Sequence, residues 1–252
     1  MIVVSRLRPL VLGYHCVNSV ANAHDPDNLV VTPVRFRWQV ETLRDRGYTF
    51  VSMAEFVDHL AQSGPPAGIC ALTFDDGSDD PVLFDVLRAL EVPATLYVCP
   101  GLLGRPHPWL RPESRIRLMS KEALQEAARI PGLEIGSHTN LHTDLSTATA
   151  DEAYRELASS RQALEDLLDL PVTSVAYPYG HYSAACPAAA ERAGYRSAVT
   201  SDGRGSWRPF ELRREMIASW DRRLSFAVKS RVGEHFAPRL YQAALRVRRA
   251  FS

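Results

Sequence analysis

Short apolar runs alternate with helical segments along most of the chain, and this alternation limits the fold more than any other feature. Apolar runs typical of buried strands occupy residues 10–14, 48–51, 68–74, 94–98, 133–135, 172–176, 195–199 and 212–217. Helical spacing lies between them, at residues 33–46, 54–61, 82–90, 121–129, 150–170 and 184–193. This order predicts a parallel α/β sheet or barrel. Because no linker, repeat or low-complexity tract interrupts it, we expect residues 1–252 to form a single domain.

The composition is that of an ordinary globular enzyme. Of 252 residues, 46% are hydrophobic and 23% are charged, and 29 basic side chains balance 29 acidic ones. A neutral total argues against a nucleic-acid partner, and the apolar content argues against disorder. A chain of this length buries roughly three quarters of its unfolded surface, so its core needs no disulfides.

The sequence carries no sign of secretion or membrane insertion. No CxxC pair occurs, and we expect reduced core thiols at the four cysteines, Cys16, Cys70, Cys99 and Cys186. Arginines follow the short apolar run at residues 2–4 rather than precede it, which is unlike a signal peptide. No apolar run reaches the ~18 residues needed to span a bilayer. These features predict a cytoplasmic protein.

The neutral total hides an uneven distribution of charge. Residues 204–252 carry 12 basic and 4 acidic side chains, so +8 at this end offsets −8 in the rest of the chain. Two helices are predicted within residues 221–251, and Leu240, Leu245 and Val247 give the second one an apolar stripe beside arginines. Such a helix suits an anionic membrane surface or packing across the acidic body. Peripheral membrane contact and packing across the barrel are the two hypotheses for it.

Two adjacent carboxylates follow the strand predicted at residues 68–74. Asp75 and Asp76, in Thr73-Phe-Asp-Asp-Gly77, lie at the end of a strand where α/β folds build their sites. Such a pair repels unless a cation or a proton lies between the two groups. An Asp-Gly turn is the structural alternative. We assign Asp79 and Asp80 to helix capping and solvent.

Two histidines four residues apart follow a later strand. His138 and His142, in Ser137-His-Thr-Asn-Leu-His142, can converge on one ion from a helix face or from a curled loop. The structural alternative for each histidine is a hydrogen-bonded core residue. With one carboxylate they would complete a two-histidine, one-carboxylate metal site with open positions for water and substrate.

At this point the sequence resembles a known family. Thr73-Phe-Asp-Asp-Gly77, Ser137-His-Thr-Asn-Leu-His142 and Tyr177-Pro-Tyr-Gly180 resemble, in order and spacing, the three motifs of the polysaccharide deacetylases, carbohydrate esterase family 4 with its NodB-homology domain. The resemblance covers about residues 10–217. It implies a distorted (β/α) barrel, TIM-like and seven-stranded, that hydrolyses N-acetyl groups.

The resemblance also implies roles for individual residues. Asp76, His138 and His142 would bind a divalent metal, usually zinc, and Asp75 would be the general base. A carboxylate that binds a metal accepts a proton poorly, whereas its free neighbour can deprotonate water. In the third motif, Tyr177, Pro178 and Tyr179 would lie at the substrate, with the backbone amide of Tyr179 stabilising the oxyanion.

The chain departs from the family at the residue that orients the base. Many members have an arginine where this sequence has Ala176, and that arginine positions the catalytic aspartate. Arg213 or Arg214 is the candidate replacement, and a solvent-facing strand is the structural alternative for both.

A second departure concerns the general acid. The Leu-x-His motif that supplies it near the C-terminus of many members is missing. Gly13-Tyr-His15 instead resembles rearranged members that deacetylate poly-β-1,6-N-acetylglucosamine and carry the acid near the N-terminus. We therefore predict that His15 protonates the leaving amine; a structural histidine at a strand end is the alternative.

A proline-rich segment at residues 100–120 is long enough to be a functional loop. Its Trp109 and His107 are candidates for a wall on which a sugar ring stacks. Anchoring of the loop in the core is the alternative for Trp109. We assign Trp220 to packing.

The sequence therefore predicts a metal-dependent hydrolase that removes N-acetyl groups from a glycan containing N-acetylhexosamine. O-deacetylation or hydrolysis of another non-peptide C–N bond is the alternative within the family. A metal-dependent glycosyltransferase is a second alternative, but it leaves the two histidines without a role. A non-catalytic glycan-binding relative is a third alternative, because the usual arginine is missing. Because such polymers are normally outside the cell, a precursor or lipid-linked sugar is a candidate substrate for a cytoplasmic enzyme.

Overall fold

The computed structural model describes residues 7–201 and 205–231. Within them the strands are β1 (Leu10–Tyr14), β2 (Cys16–Val17), β3 (Val30–Val31), β4 (Thr49–Val51), β5 (Ile69–Phe74), β6 (Ala94–Val98), β7 (Leu133–Ser137), β8 (Ser174–Ala176), β9 (Ser197–Val199) and β10 (Glu215–Met216). The α-helices are α1 (Pro33–Asp45), α2 (Met53–Ser63), α3 (Pro81–Leu90), α4 (Lys121–Ala127), α5 (Ala150–Leu168), α6 (Cys186–Arg192) and α7 (Arg223–Arg231).

Seven parallel strands form the main sheet, in the order β10-β1-β5-β6-β7-β8-β9. The short β4 adds to the sheet by pairing in parallel with the first residues of β5. The sheet curls into a half-barrel with helices around it, which confirms the predicted distorted (β/α) barrel. Parallel strands all end at the same edge, so the loops that carry the sequence motifs meet there.

Side-chain caps begin several of the connecting helices where the sequence predicts. Thr32 caps α1 ahead of Pro33, which fits the first turn because proline has no N–H to satisfy. A complete capping box opens α5, where the Thr149 side chain accepts from the Glu152 N–H and the Glu152 carboxylate accepts from the Thr149 N–H. Each cap satisfies N–H groups that the helix itself leaves unpaired, so it fixes where the helix begins.

Apolar side chains from the strands and helices fill the core. All four cysteines are buried and free, as predicted for reduced core residues. No helix within the described ranges is long and apolar enough to cross a membrane.

Several local predictions need correction. The pair β2 and β3 is missed by sequence patterns because each strand has two residues, and the strand predicted at 212–217 is reduced to Glu215–Met216. Asp80 caps α3 but is fully buried rather than solvated, because its carboxylate also accepts from the Val17 N–H at 2.8 Å. The predicted helix at residues 239–251, with its apolar stripe, lies outside the described residues.

Gly180 is a position where the fold allows no side chain. Its φ is +70°, and an added Cβ would lie 2.5 Å from Ser201 Cβ and 2.6 Å from Ser201 N. We expect Gly180→Ala to lower the free energy of unfolding by about 2 kcal/mol more than Gly104→Ala does. Gly104 is the matched control because its φ is +75° and nothing lies within 4 Å of an added Cβ. Urea unfolding measures both, and equal losses would show that backbone strain alone matters at Gly180.

Candidate active site

The predicted site residues come together at the carboxyl edge of the sheet. Asp75 and Asp76 follow β5, and His138 follows β7. A cavity of about 470 Å³ opens at this edge. Among the side chains that line it are His15, Asp75, Asp76, Trp109, His138, His142, Tyr179 and Trp220.

Asp76, His138 and His142 form a candidate metal site. His138 Nε2 and His142 Nε2 each lie 3.6 Å from Asp76 Oδ1, and the three ligand atoms lie within 4.8 Å of one another. Nitrogen and oxygen ligands of one tetrahedral zinc ion are about 3.4 Å apart. The observed spacing therefore suits a single divalent ion held by two imidazoles and one carboxylate.

The chemistry of these groups also fits a cation. Asp76 Oδ1 is buried and accepts no hydrogen bond from the residues that the structure describes. Burial, together with the charge of Asp75, raises the pKa of Asp76 well above its usual value, so the free carboxylate is unfavourable without a counter-charge. Burial lowers the pKa of His142 to about 3, which keeps this imidazole neutral and able to donate a lone pair.

A backbone carbonyl orients the first histidine. His138 Nδ1 lies 2.8 Å from the Ala176 carbonyl oxygen, which can only accept, so Nδ1 carries the proton and donates it. The lone pair of His138 is therefore on Nε2, the atom that faces Asp76. Burial lowers the pKa of His138 as well.

Arg214 holds Asp75 through two parallel hydrogen bonds. Its Nη1 lies 2.6 Å from Asp75 Oδ1 and its Nη2 lies 2.7 Å from Oδ2, and the arginine side chain is fully buried. Burial raises the pKa of the Asp75 carboxyl, but the charge and hydrogen bonds of Arg214 together with the nearby His138 and His15 outweigh burial and hold the pKa well below its usual range. Asp75 is thus kept ionised and in a fixed orientation.

The structure separates the two candidate arginines. Arg213 points away from Asp75, and its Nη2 lies 3.6 Å from Glu215 Oε1. Adjacent residues of an extended segment point to opposite faces, so Arg213 and Arg214 cannot both reach Asp75. Arg214 therefore pairs with the carboxylate, and the assignment of Arg213 as an orienting arginine is wrong.

His15 lines the same cavity as Asp75 and is partly exposed to solvent. Burial lowers its pKa to about 4, although the charge of Asp75 opposes this effect. The resting imidazole is therefore neutral at neutral pH. It must take up a proton during a reaction cycle before it can give one to a leaving group.

Two aromatic rings lie against His142. The Trp109 ring centroid lies 4.3 Å from that of His142, and the Tyr179 centroid lies 4.6 Å from it at an interplanar angle of 83°. Tyr179 is half exposed at the mouth of the cavity. The two rings restrict the tilt of the imidazole.

Three other aromatic predictions need correction. His107 is buried and lies 3.1 Å from the Ser78 hydroxyl, so it supports the loop rather than a sugar-stacking wall. Trp220 lines the cavity instead of serving only in packing. Tyr177 is fully buried, with its hydroxyl 3.2 Å from the Phe210 carbonyl oxygen, and like the buried Pro178 it does not line the cavity.

Four residues around the site adopt a left-handed backbone without being glycine. Their φ angles are 74° at Asp76, 61° at Thr139, 60° at His142 and 59° at Tyr179. This conformation is uncommon for residues with a Cβ and costs of order 1–3 kcal/mol each. Two of these residues are candidate ligands, Tyr179 lines the cavity, and Thr139 is buried in the same loop as His142.

One wall of the cavity was missed by the sequence analysis. Met216, Ala218 and Trp220 line it, and a buried lysine fixes their segment: Lys229 Nζ lies 2.7 Å from the Met216 carbonyl oxygen and 2.8 Å from Asp221 Oδ2. The available signal was the rarity of lysine, since Lys121 and Lys229 are the only lysines among 29 basic residues.

Fold and site together define an α/β half-barrel with a candidate metal centre beside an arginine-bound carboxylate. The sequence profile of the polysaccharide deacetylase family matches residues 62–198, more than half of the chain. The chain belongs to the polysaccharide deacetylase family. Asp75, Asp76, both histidines and Tyr179 lie within the matched segment, whereas His15 and Arg214 lie outside it.

Known relatives agree with this assignment. YxkH of Bacillus subtilis, named as a polysaccharide deacetylase, is 28% identical over 195 residues, which cover 76% of this chain and 64% of that protein. The chain thus spans less than two thirds of the length of this relative. Streptococcus pyogenes deacetylase PplD, solved in complex with acetate, is 26% identical with a TM-score of 0.74 and covers 90% of this chain and 99% of its own. IcaB from Ammonifex degensii shares the fold at 22% identity and a TM-score of 0.69, covering 88% of this chain and 94% of its own.

The two neighbouring arginines give a matched test of the buried pair. We expect Arg214→Met to lower the free energy of unfolding by about 3–5 kcal/mol, because it leaves the Asp75 charge buried without a partner. Arg213→Met should lower the free energy of unfolding by about 1 kcal/mol or less, because Glu215 keeps its ion pair with Arg8, whose Nη2 lies 3.1 Å from Glu215 Oε1. Urea unfolding of both variants measures the difference. A comparable loss in the two variants would contradict the importance of the pair.

Proposed function

We propose that this protein is a metal-dependent hydrolase that removes N-acetyl groups from a glycan or glycan precursor containing N-acetylhexosamine. One observation carries the proposal: the Asp76, His138 and His142 cluster lies beside the arginine-bound Asp75 in a single cavity. Membership of the polysaccharide deacetylase family supports the reaction class. The acetate in the similar PplD structure supports acetate as a product of the reaction.

The ion that best suits the cluster is zinc. Two neutral imidazoles and one carboxylate form a common set of zinc ligands in hydrolases. When bound, such an ion lowers the pKa of water and polarises a carbonyl group. Asp76 supplies the negative charge of the ligand set, while His138, fixed by the Ala176 carbonyl, presents Nε2 in a defined direction.

The remaining residues divide the proton transfers between them. Asp75, kept ionised by Arg214, accepts a proton from the water that attacks the acetyl carbonyl. The backbone amide of Tyr179 donates to the carbonyl oxygen as negative charge develops there. His15, once it has taken up a proton from solvent, delivers that proton to the sugar nitrogen as the bond between the nitrogen and the acetyl carbon breaks, and Asp75 returns its own proton to solvent. Water is thereby consumed, and the products are acetate and a free amine.

The cavity wall supports a sugar as the substrate. Trp109, Tyr179 and Trp220 line it with aromatic rings, which suit the apolar faces of pyranose rings. The proposal covers both polymeric glycans and lipid-linked sugars as substrates.

Peripheral membrane contact through the basic C-terminal segment stays a hypothesis. Liposome co-sedimentation with and without residues 237–252 tests it, and equal binding of the two proteins would contradict it.

The ion pair between Arg214 and Asp75 also bears on the alternative functions. The missing arginine at Ala176 was the reason to consider a non-catalytic relative, and the contact between Arg214 and Asp75 removes that reason. O-deacetylation uses the same site, so only the product separates the two reactions. Acetate release accompanied by an equal amount of free amine would support N-deacetylation, whereas acetate release without amine would contradict it.

The base and the acid can be tested on N-acetylglucosamine oligomers. We expect Asp75→Asn to retain bound zinc but to lose about 10²–10⁴-fold in acetate release, because it cannot accept the proton. Asp79→Asn is the matched control, because Asp79 is an exposed carboxylate four positions along the chain. Full turnover by a zinc-loaded Asp75→Asn protein would exclude Asp75 as the base.

The His15→Ala variant tests the acid separately. We expect it to bind zinc normally and to lose roughly 10²-fold in rate on amide substrates. Activated esters need no protonation of the leaving group, so their hydrolysis should fall much less. An equal loss on both substrates would contradict the role of His15 as a general acid.

A further inference from the structure

Hydrogen bonds to its backbone hold the loop that carries both candidate histidine ligands. This histidine loop, residues 138–143, leaves the end of β7 and contains two left-handed residues, Thr139 and His142. The His138 N–H still donates to the Val98 carbonyl of β6 at 2.8 Å, but beyond it the loop leaves the sheet ladder, so other residues must supply partners for its peptide groups.

Both peptide groups of Asn140, in the middle of the loop, have partners outside it. The Asn140 N–H donates to Glu156 Oε1 at 2.8 Å, and the Asn140 carbonyl accepts from the Gly101 N–H at 2.9 Å. The Thr143 hydroxyl donates to the same Glu156 oxygen at 3.1 Å. One carboxylate oxygen therefore joins the middle of the histidine loop to its end.

Glu156 belongs to a rigid element. It lies in α5, a 19-residue helix that opens with a capping box and buries Ala153 and Leu157 in the core. One turn further along the same helix, Ser160 Oγ lies 2.9 Å from Ser137 Oγ, immediately before the loop. The helix thus contacts the chain at the start, middle and end of the histidine loop.

We propose that Glu156 is a positioning residue for the metal site: by bonding the Asn140 N–H and the Thr143 hydroxyl, it holds the loop in the strained shape that brings His138 and His142 together. The inference rests on the proposed metal site. Without this acceptor the Asn140 N–H turns to water, and the left-handed residues relax towards commoner conformations. The ligands then have to be ordered at the moment the ion binds, which lowers the affinity for the ion.

Metal affinity in the absence of substrate tests the role. Metal-free protein is titrated with Zn²⁺ against a chromophoric chelator. We expect Glu156→Ala to raise the dissociation constant of Zn²⁺ about tenfold or more, the range seen when groups that orient ligands are removed. Glu156→Gln keeps an oxygen acceptor at the same place, so its dissociation constant should rise by at most about threefold. Arg155→Ala, an exposed neighbour on the same helix, is the control.

The comparison separates three explanations. If Glu156→Gln loses as much affinity as Glu156→Ala, the charge and not the hydrogen bonds acts, and the proposal fails. If both variants keep the wild-type affinity for Zn²⁺, the proposal also fails. A Glu156→Ala protein that unfolds at a lower temperature without metal but keeps that affinity would show a purely structural role. Should Glu156→Ala not fold, Thr143→Val removes one of the two bonds; an intermediate loss of affinity supports the proposal, and unchanged affinity overturns it.

The wild-type protein distinguishes this inference from the proposed function. A wild type that binds Zn²⁺ but releases no acetate contradicts the deacetylase proposal and leaves the Glu156 comparison valid. A wild type that binds no Zn²⁺ contradicts both.

Discussion

The buried pair between Arg214 and Asp75 is the interaction on which the site depends. Removing both charges from water is costly, and such a pair adds little net stability. It does impose geometry, because the planar guanidinium makes two parallel bonds in one arrangement. The same arginine donates from Nε to the Thr200 carbonyl at 2.9 Å and from Nη1 to the Thr73 hydroxyl at 3.2 Å. One side chain thereby links the ends of β5, β9 and β10.

This pair also divides the work of the two adjacent aspartates. Arg214 neutralises Asp75, so Asp76 is the one of the two carboxylates that still needs a counter-charge in order to ionise. A buried carboxylate oxygen that accepts no hydrogen bond from the described residues, as Asp76 Oδ1, suits a cation, whereas a carboxylate held by an arginine can exchange protons with water. Adjacent residues of the same type thus acquire different chemistry from their neighbours alone.

The sequence predicted the fold and the residues at the edge of the sheet, because both follow from local patterns. Asp75, Asp76, His138 and His142 stand directly after strands or within one short loop, so strand order alone brings them together. The choice between Arg213 and Arg214 was beyond this reasoning, since it depends on which face of the short extended segment before β10 points inwards. Trp220 and Lys229 were missed because their place in the site is set by packing between distant segments, and periodicity does not encode such packing.

The pairing of β10 with β1 has a consequence for the order in which the protein matures. Leu12 is in register with Glu215, so one edge of β1, the edge away from β5, stays unpaired until a strand is synthesised some 200 residues later. Closing so long a loop carries an entropic cost, and contacts of this separation form late in folding. Arg214 arrives with that last strand. A nascent chain that has already made both histidines and both aspartates therefore still lacks the arginine that holds Asp75, and the buried pair forms only when β10 joins the sheet.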